Sequence, residues 1–298
     1  MKEQAIQIVQ QSMPIFFVLI LLFIFYIICT MIVEESIILD NLFFFLVLFI
    51  VLPDLLKIFQ VVAQTVSTLT STLYSFIPVI SSILFLLQGI VAIFAWNPFV
   101  LIIVQLILFL TDNIFIPAII IALFLDIWTR GIPSIPFSKM AQFIRSFLII
   151  SIGVLMMILT AVMTISGTLI LTLNQSISSP LKRILEQSIP IVGSIIVQAL
   201  SVMKKTQIVT SSVVGASAIL TFVAVIGTPL FFLILKAILY RVLSVISEPL
   251  MPSSITNMIE DISKNLLILC GVVAIVLCSL IVIIIIVLSL SYFVVRSG

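Results

Sequence analysis

From Leu266 to Val295 the chain carries no charged side chain. A helix needs only about 20 apolar residues to cross a bilayer. A similar run fills Pro14–Val33, and Phe99–Trp128 is interrupted only by Asp112 and Asp126 among its charges. Runs this long specify helices, because membrane barrel strands are about 10 residues long and alternate in polarity. Only 8% of the 298 residues are charged, against about 25% in a soluble domain. So few charges cannot cover a water-facing surface. The expected fold class is all-α: a polytopic transmembrane helical bundle.

The net charge is +2 with no basic patch, which gives nucleic-acid binding no support. Histidine is absent, which removes the commonest general base and zinc ligand. Cys29, Cys270 and Cys278 sit in apolar runs without CxxC spacing and read as small buried hydrophobes. No catalytic, cofactor or metal residue is expected. Lys2 precedes the first apolar run, but that run exceeds a signal-peptide core and lacks a small-residue cleavage site after it. It reads as a retained first span.

A repeat organises the rest. Phe76-Ile77-Pro78-Val79-Ile80-Ser81-Ser82 resembles Ser188-Ile189-Pro190-Ile191-Val192-Gly193-Ser194, and Pro117 follows Pro78 by the same 39 residues that separate Pro229 from Pro190. The expected order is an N-terminal two-span hairpin over 1–63, repeat 1 over 64–175 and repeat 2 over 176–298. Span 2, centred on Leu42–Leu52, is expected to close at Pro53-Asp54 and Lys57. Each repeat has three spans, at Leu73–Trp96, Phe99–Trp128 and Phe147–Leu173, then at Ser188–Val202, Ile208–Leu235 and Leu266–Val295. An interfacial amphipathic helix precedes each last span. Its stripe is Met140, Phe143, Ile144 and Phe147 in the first copy, and Ile255, Met258, Ile259 and Ile262 in the second. Three spans per copy predict inverted repeats and about eight spans in all. Loop charge agrees weakly, with eight basic residues on the predicted inside and five outside. Ser188–Val202 is short, and a re-entrant segment there would flip everything after it.

Asp112 is the most unusual ionisable residue. A carboxyl at membrane depth is costly and usually faces a bundle interior or a water path; the other reading is that it caps a break in the span. Phe99–Trp128 as continuous helix is about 45 Å long against a core of about 30 Å, so a tilt, kink or break is expected near Asp112–Pro117. Asp126 and Arg130 read as an interfacial pair. Lys236 and Arg241, with Tyr240, Ser244 and Glu248, form a polar stripe, either on an interfacial helix or on a pore-lining or partner-docking face. Ser211 and Gly215 fit close helix packing. Pro78, Pro117, Pro190 and Pro229 read as kinks whose backbone neighbours re-satisfy. Glu260 and Lys264 form an i, i+4 pair. Asp112 and Asp126 lie about 21 Å apart along a helix, too far to share a proton as an aspartyl protease pair would.

Residues 70–295 resemble the stage III sporulation protein AE family. The likeness rests on Ile189-Pro190-Ile191-Val192-Gly193, Val214-Gly215-Ala216, Pro229-Leu230, Leu235 to Arg241, Glu248-Pro249-Leu250 and Asn265-Leu266-Leu267, with Ile77-Pro78, Asn97-Pro98 and Pro117 in the first copy. The resemblance implies a multi-pass protein of the mother-cell membrane around the forespore, with other membrane subunits as partners and self-association as a further option. It implies a non-catalytic core subunit of a sporulation channel or secretion-like complex. The alternative from the residues alone is a secondary transporter with a substrate path near Asp112.

Overall fold

The computed structural model describes residues 2–32, 37–87, 98–131, 137–171 and 213–297, with side-chain detail over 13–32, 37–72, 74–75, 102–131, 137–161 and 227–283. Among the described residues there is no strand. The helices are α1 (Lys2–Ile32), α2 (Ile37–Leu87), α3 (Pro98–Leu110), α4 (Ile116–Gly131), α5 (Ser138–Leu171), α6 (Val213–Ser247) and α7 (Ser253–Ser297), and a π-helical turn, Thr111–Phe115, joins α3 to α4. Six stretches are long and apolar enough to cross a membrane: Met13–Ile32, Ile37–Thr72, Ile102–Gly131, Ser138–Ala161, Gly227–Ser247 and Ser253–Ile283. Large apolar side chains stand exposed along them, such as Phe17, Phe49, Phe143 and Met157, which is the surface that lipid solvates. The chain is a multi-pass, all-helical membrane protein.

Several boundaries differ from expectation. Span 2 does not close at Pro53-Asp54, because α2 runs through Pro53 for 51 residues. Proline removes one ladder bond but does not force an end where neighbouring helices hold the chain. The described part of Leu73–Trp96 is therefore the end of α2 rather than a separate span, and the 63/64 junction falls inside that helix. The helices expected before the last spans are the first turns of α5 and α7, not separate interfacial elements. Ser188–Val202, with Pro190, and the 175/176 junction lie outside the described residues. The break expected near Asp112–Pro117 is the π-turn. Pro117 has no N–H to donate and its ring crowds the carbonyl four residues back, so the helix widens there instead of stopping.

Contacts divide the chain into two compact units. Unit 1 comprises 1–65, 113–149 and 226–272, and unit 2 comprises 66–112, 150–225 and 273–298. Unit 1 holds α1, the start of α2, the α4–α5 hairpin and the α6–α7 hairpin. At the α4–α5 turn, Phe137 N donates to Thr129 Oγ1 at 3.1 Å, while the Phe137 carbonyl accepts from Met140 and Ala141 N. At the α6–α7 turn, Pro249 disfavours helix at Glu248, and Ser247 O accepts from Leu250 and Met251 N. Pro252 O then accepts from Ile255 and Thr256 N to start α7.

The two hairpins run in the same sense. Moving towards the turn on α4, from Asp126 to Arg130, matches moving towards the turn on α7, from Asn265 to Asp261, because Asn265 bonds Asp126 and Arg130 bonds Asp261. The start of α2 joins the same end, since Phe44 packs against Gly131 so closely that a Cβ there would lie 2.9 Å from its ring. Inverted copies would put the α4–α5 and α6–α7 turns on opposite membrane faces. Their contact within unit 1 corrects the inverted arrangement and removes the loop-charge count built on it.

Candidate functional site: a buried ion-pair network

Polar side chains lie buried in unit 1 among Leu, Ile and Val. Asp54, on α2, is 4% exposed; Lys236 and Tyr240, one turn apart on α6, are 3% and 0% exposed. Lys236 Nζ lies 2.6 Å from Asp54 Oδ1 and 2.9 Å from Oδ2. Tyr240 donates its hydroxyl to Asp54 Oδ2 at 2.8 Å. The Phe232 ring lies 5.8 Å from Lys236 Nζ, and Phe16 meets Tyr240 edge-on. An i, i+4 spacing on α6 aims both donors at one carboxylate. In so dry a setting an unpaired charge costs several kcal/mol, and this arrangement pairs both.

A second cluster joins α4, α5 and α7. Arg145 Nη1 donates to Asp126 Oδ2 at 2.7 Å, and Asn265 Nδ2 donates to the same oxygen at 2.8 Å. Asn265 Nδ2 also donates to the Asp261 carbonyl, one turn back. Arg130 holds Asp261 Oδ2 through Nη2 at 2.9 Å and Nε at 3.2 Å. Arg145 lies 3.7 Å from the other Asp261 oxygen. Asn265 Oδ1 is buried and accepts no hydrogen bond. Further out, Glu260 takes Arg241 and Lys264, which realises the expected Glu260–Lys264 pair. Ser263 Oγ donates to the Ala237 carbonyl at 2.9 Å and ties α7 to α6.

The predicted residues fare differently. Lys236 is one of the two donors to Asp54 in the first cluster, inside unit 1 rather than on an interfacial helix, and Arg241 is exposed and pairs across the hairpin. Asp126 and Arg130 do not pair with each other; Asp126 is buried and each takes a partner from another helix. Asp112 stands exposed on the π-turn, apart from both clusters in sequence and in unit. Beside it, Thr111 is buried with its hydroxyl unpartnered. Pro117 is the second residue of α4, Pro229 lies inside α6, and Pro78 and Gly215 fall within α2 and α6. The sequence reading missed Asp54, Arg145, Asp261 and Asn265 as interior groups. The signal for Asp54 was present: a lone carboxylate after proline in an otherwise apolar run.

Among the described residues no group of three or more Cys, Asp or Glu could hold a metal ion. What the arrangement does chemically is neutralise charge and fix five helices in one register.

The profile of a family described as "Stage III sporulation protein AE" matches residues 4–291. A curated protein of that name from Bacillus subtilis (strain 168) is 21% identical over 213 residues, covering 72% of this chain and 53% of the relative. The chain thus spans about half the length of the curated relative it matches. No solved structure matches. Matched to that profile over residues 4–291 and built of helices able to span a membrane, the chain belongs to the stage III sporulation protein AE family.

Proposed function

We propose that this sporulation-family membrane protein is a non-catalytic core subunit of a channel or secretion-like complex between mother cell and forespore. The supporting observation is the Lys236–Asp54–Tyr240 cluster. Both oxygens of the buried carboxylate are taken by donors from another helix, which suits a scaffold more than a site awaiting a substrate. The Bacillus subtilis relative is named as a stage III sporulation protein, which supports the sporulation part of this reading. Affinity purification of the tagged chain from sporulating cells tests the reading: other membrane proteins should co-purify in fixed ratio. A chain that purifies alone and supports solute uptake in vesicles would refute it.

One observation favours the transporter alternative. Asp112 sits on a π-turn beside an unpartnered buried hydroxyl, and such turns often occur where helices do more than pack. Asp112→Asn separates the two readings, since a transporter would lose uptake and a scaffold would keep its assembly.

A further inference from the structure

The outer face of the α6–α7 hairpin carries an unbalanced set of charges. Two exposed cations, Arg241 on α6 and Lys264 on α7, share one carboxylate, Glu260. Asp261 is 6% and Glu260 30% exposed, whereas Lys264 is 47% and Arg241 54% exposed. Arg241 and Lys264 therefore stand on the surface as two cations that Glu260 holds together from between them.

Exposed apolar side chains lie further along both helices, away from the turn. Ile238 is one turn from Arg241 on α6, and Leu267 is one turn from Lys264 on α7; they are 52% and 53% exposed. Two cations nearer the turn with apolar surface beyond them match one class of molecule, an anionic glycerophospholipid. Its phosphate diester would complete the charge of the pair, and its acyl chain would lie over Ile238 and Leu267. A soluble anion would gain nothing from that apolar surface. We propose that Arg241 and Lys264 form a binding site for the phosphate of an anionic phospholipid on the lipid-facing side of this hairpin.

The test is native mass spectrometry of the detergent-extracted full chain with added phosphatidylglycerol or phosphatidylcholine. Each cation near an anionic lipid contributes about five-fold in affinity at low salt. The double variant R241Q/K264Q should therefore bind phosphatidylglycerol about 30-fold more weakly, while K57Q, which removes an exposed cation on α2, should not change it. Equal binding by native chain and double variant would overturn the proposal. So would displacement of the lipid by an equal concentration of inorganic phosphate, which would mark a free-anion site. A double variant that keeps its lipid but loses a co-purifying protein would assign the face to a protein contact. If the variant fails to fold, the native chain decides: its unfolding temperature must be higher in vesicles containing phosphatidylglycerol than in pure phosphatidylcholine, and equal temperatures would overturn the site.

Discussion

Lys236 and Asp54 are 182 residues apart in the chain, and their side chains form a buried ion pair with Nζ 2.6 Å from Oδ1. Removing either partner leaves the other charged and dry. Asp54→Leu and Lys236→Met should each destabilise the fold by about 3–5 kcal/mol, whereas the double change Asp54→Leu with Lys236→Met should recover most of that loss. Thermal unfolding of the four proteins in one detergent closes the cycle. Additive losses would show that the two groups do not interact.

Tyr240→Phe removes one donor from Asp54 and keeps the ring against Phe16. Hydrogen bonds to a charged group contribute about 1.5–3 kcal/mol. The variant should lose that much and retain its secondary structure by circular dichroism. A loss within measurement error would mean that Lys236 alone satisfies the carboxylate.

Arg145 bridges two carboxylates on different helices, whereas Asn265 supplies one neutral donor to Asp126 and leaves its own Oδ1 unpaired. Arg145→Ala should therefore cost more than Asn265→Ala. Breaking the buried pair costs about 3–5 kcal/mol, against about 1–3 kcal/mol for one lost neutral partner. Denaturant unfolding of both variants checks the order, and the reverse order would contradict this account of the network.

These partners were partly legible in the sequence. Lys236, Tyr240 and Ser244 follow a helical period inside an apolar run, so a polar stripe was readable, but a stripe does not say which way it faces. In water it faces out. Here lipid takes the outside, so Met140, Phe143 and Phe147 are exposed and Arg145 turns inward to Asp126. Ile255, Met258, Ile259 and Ile262 are buried as the period suggested. Which partners Asp54, Asp261 and Asn265 take was not readable, since each contact joins residues more than 130 apart and periodicity carries no such information. The inverted arrangement failed for the same reason. It counted spans from local hydropathy, which does not say which turns meet, whereas Arg130–Asp261 and Asp126–Asn265 bring the two turns to one end.

Asp112 is exposed on the π-turn, and Pro117 follows that turn two residues on, without an N–H to donate back into it. Asp112→Asn should shift stability by no more than about 0.5 kcal/mol, as for an exposed surface change. Pro117→Ala restores the missing donor and should slow amide exchange across 111–117. Unchanged exchange there would place the cause of the π-turn elsewhere.

The α4–α5 and α6–α7 turns share one end of unit 1, joined by Arg130–Asp261 and Asp126–Asn265. Single cysteines at Ser138 and at Glu248, placed in a chain whose Cys29, Cys270 and Cys278 are alanine, report the side of each turn. A membrane-impermeant maleimide added to sealed, right-side-out vesicles should label both positions or neither. Labelling of one and not the other would put the turns on opposite faces, and the network could not exist.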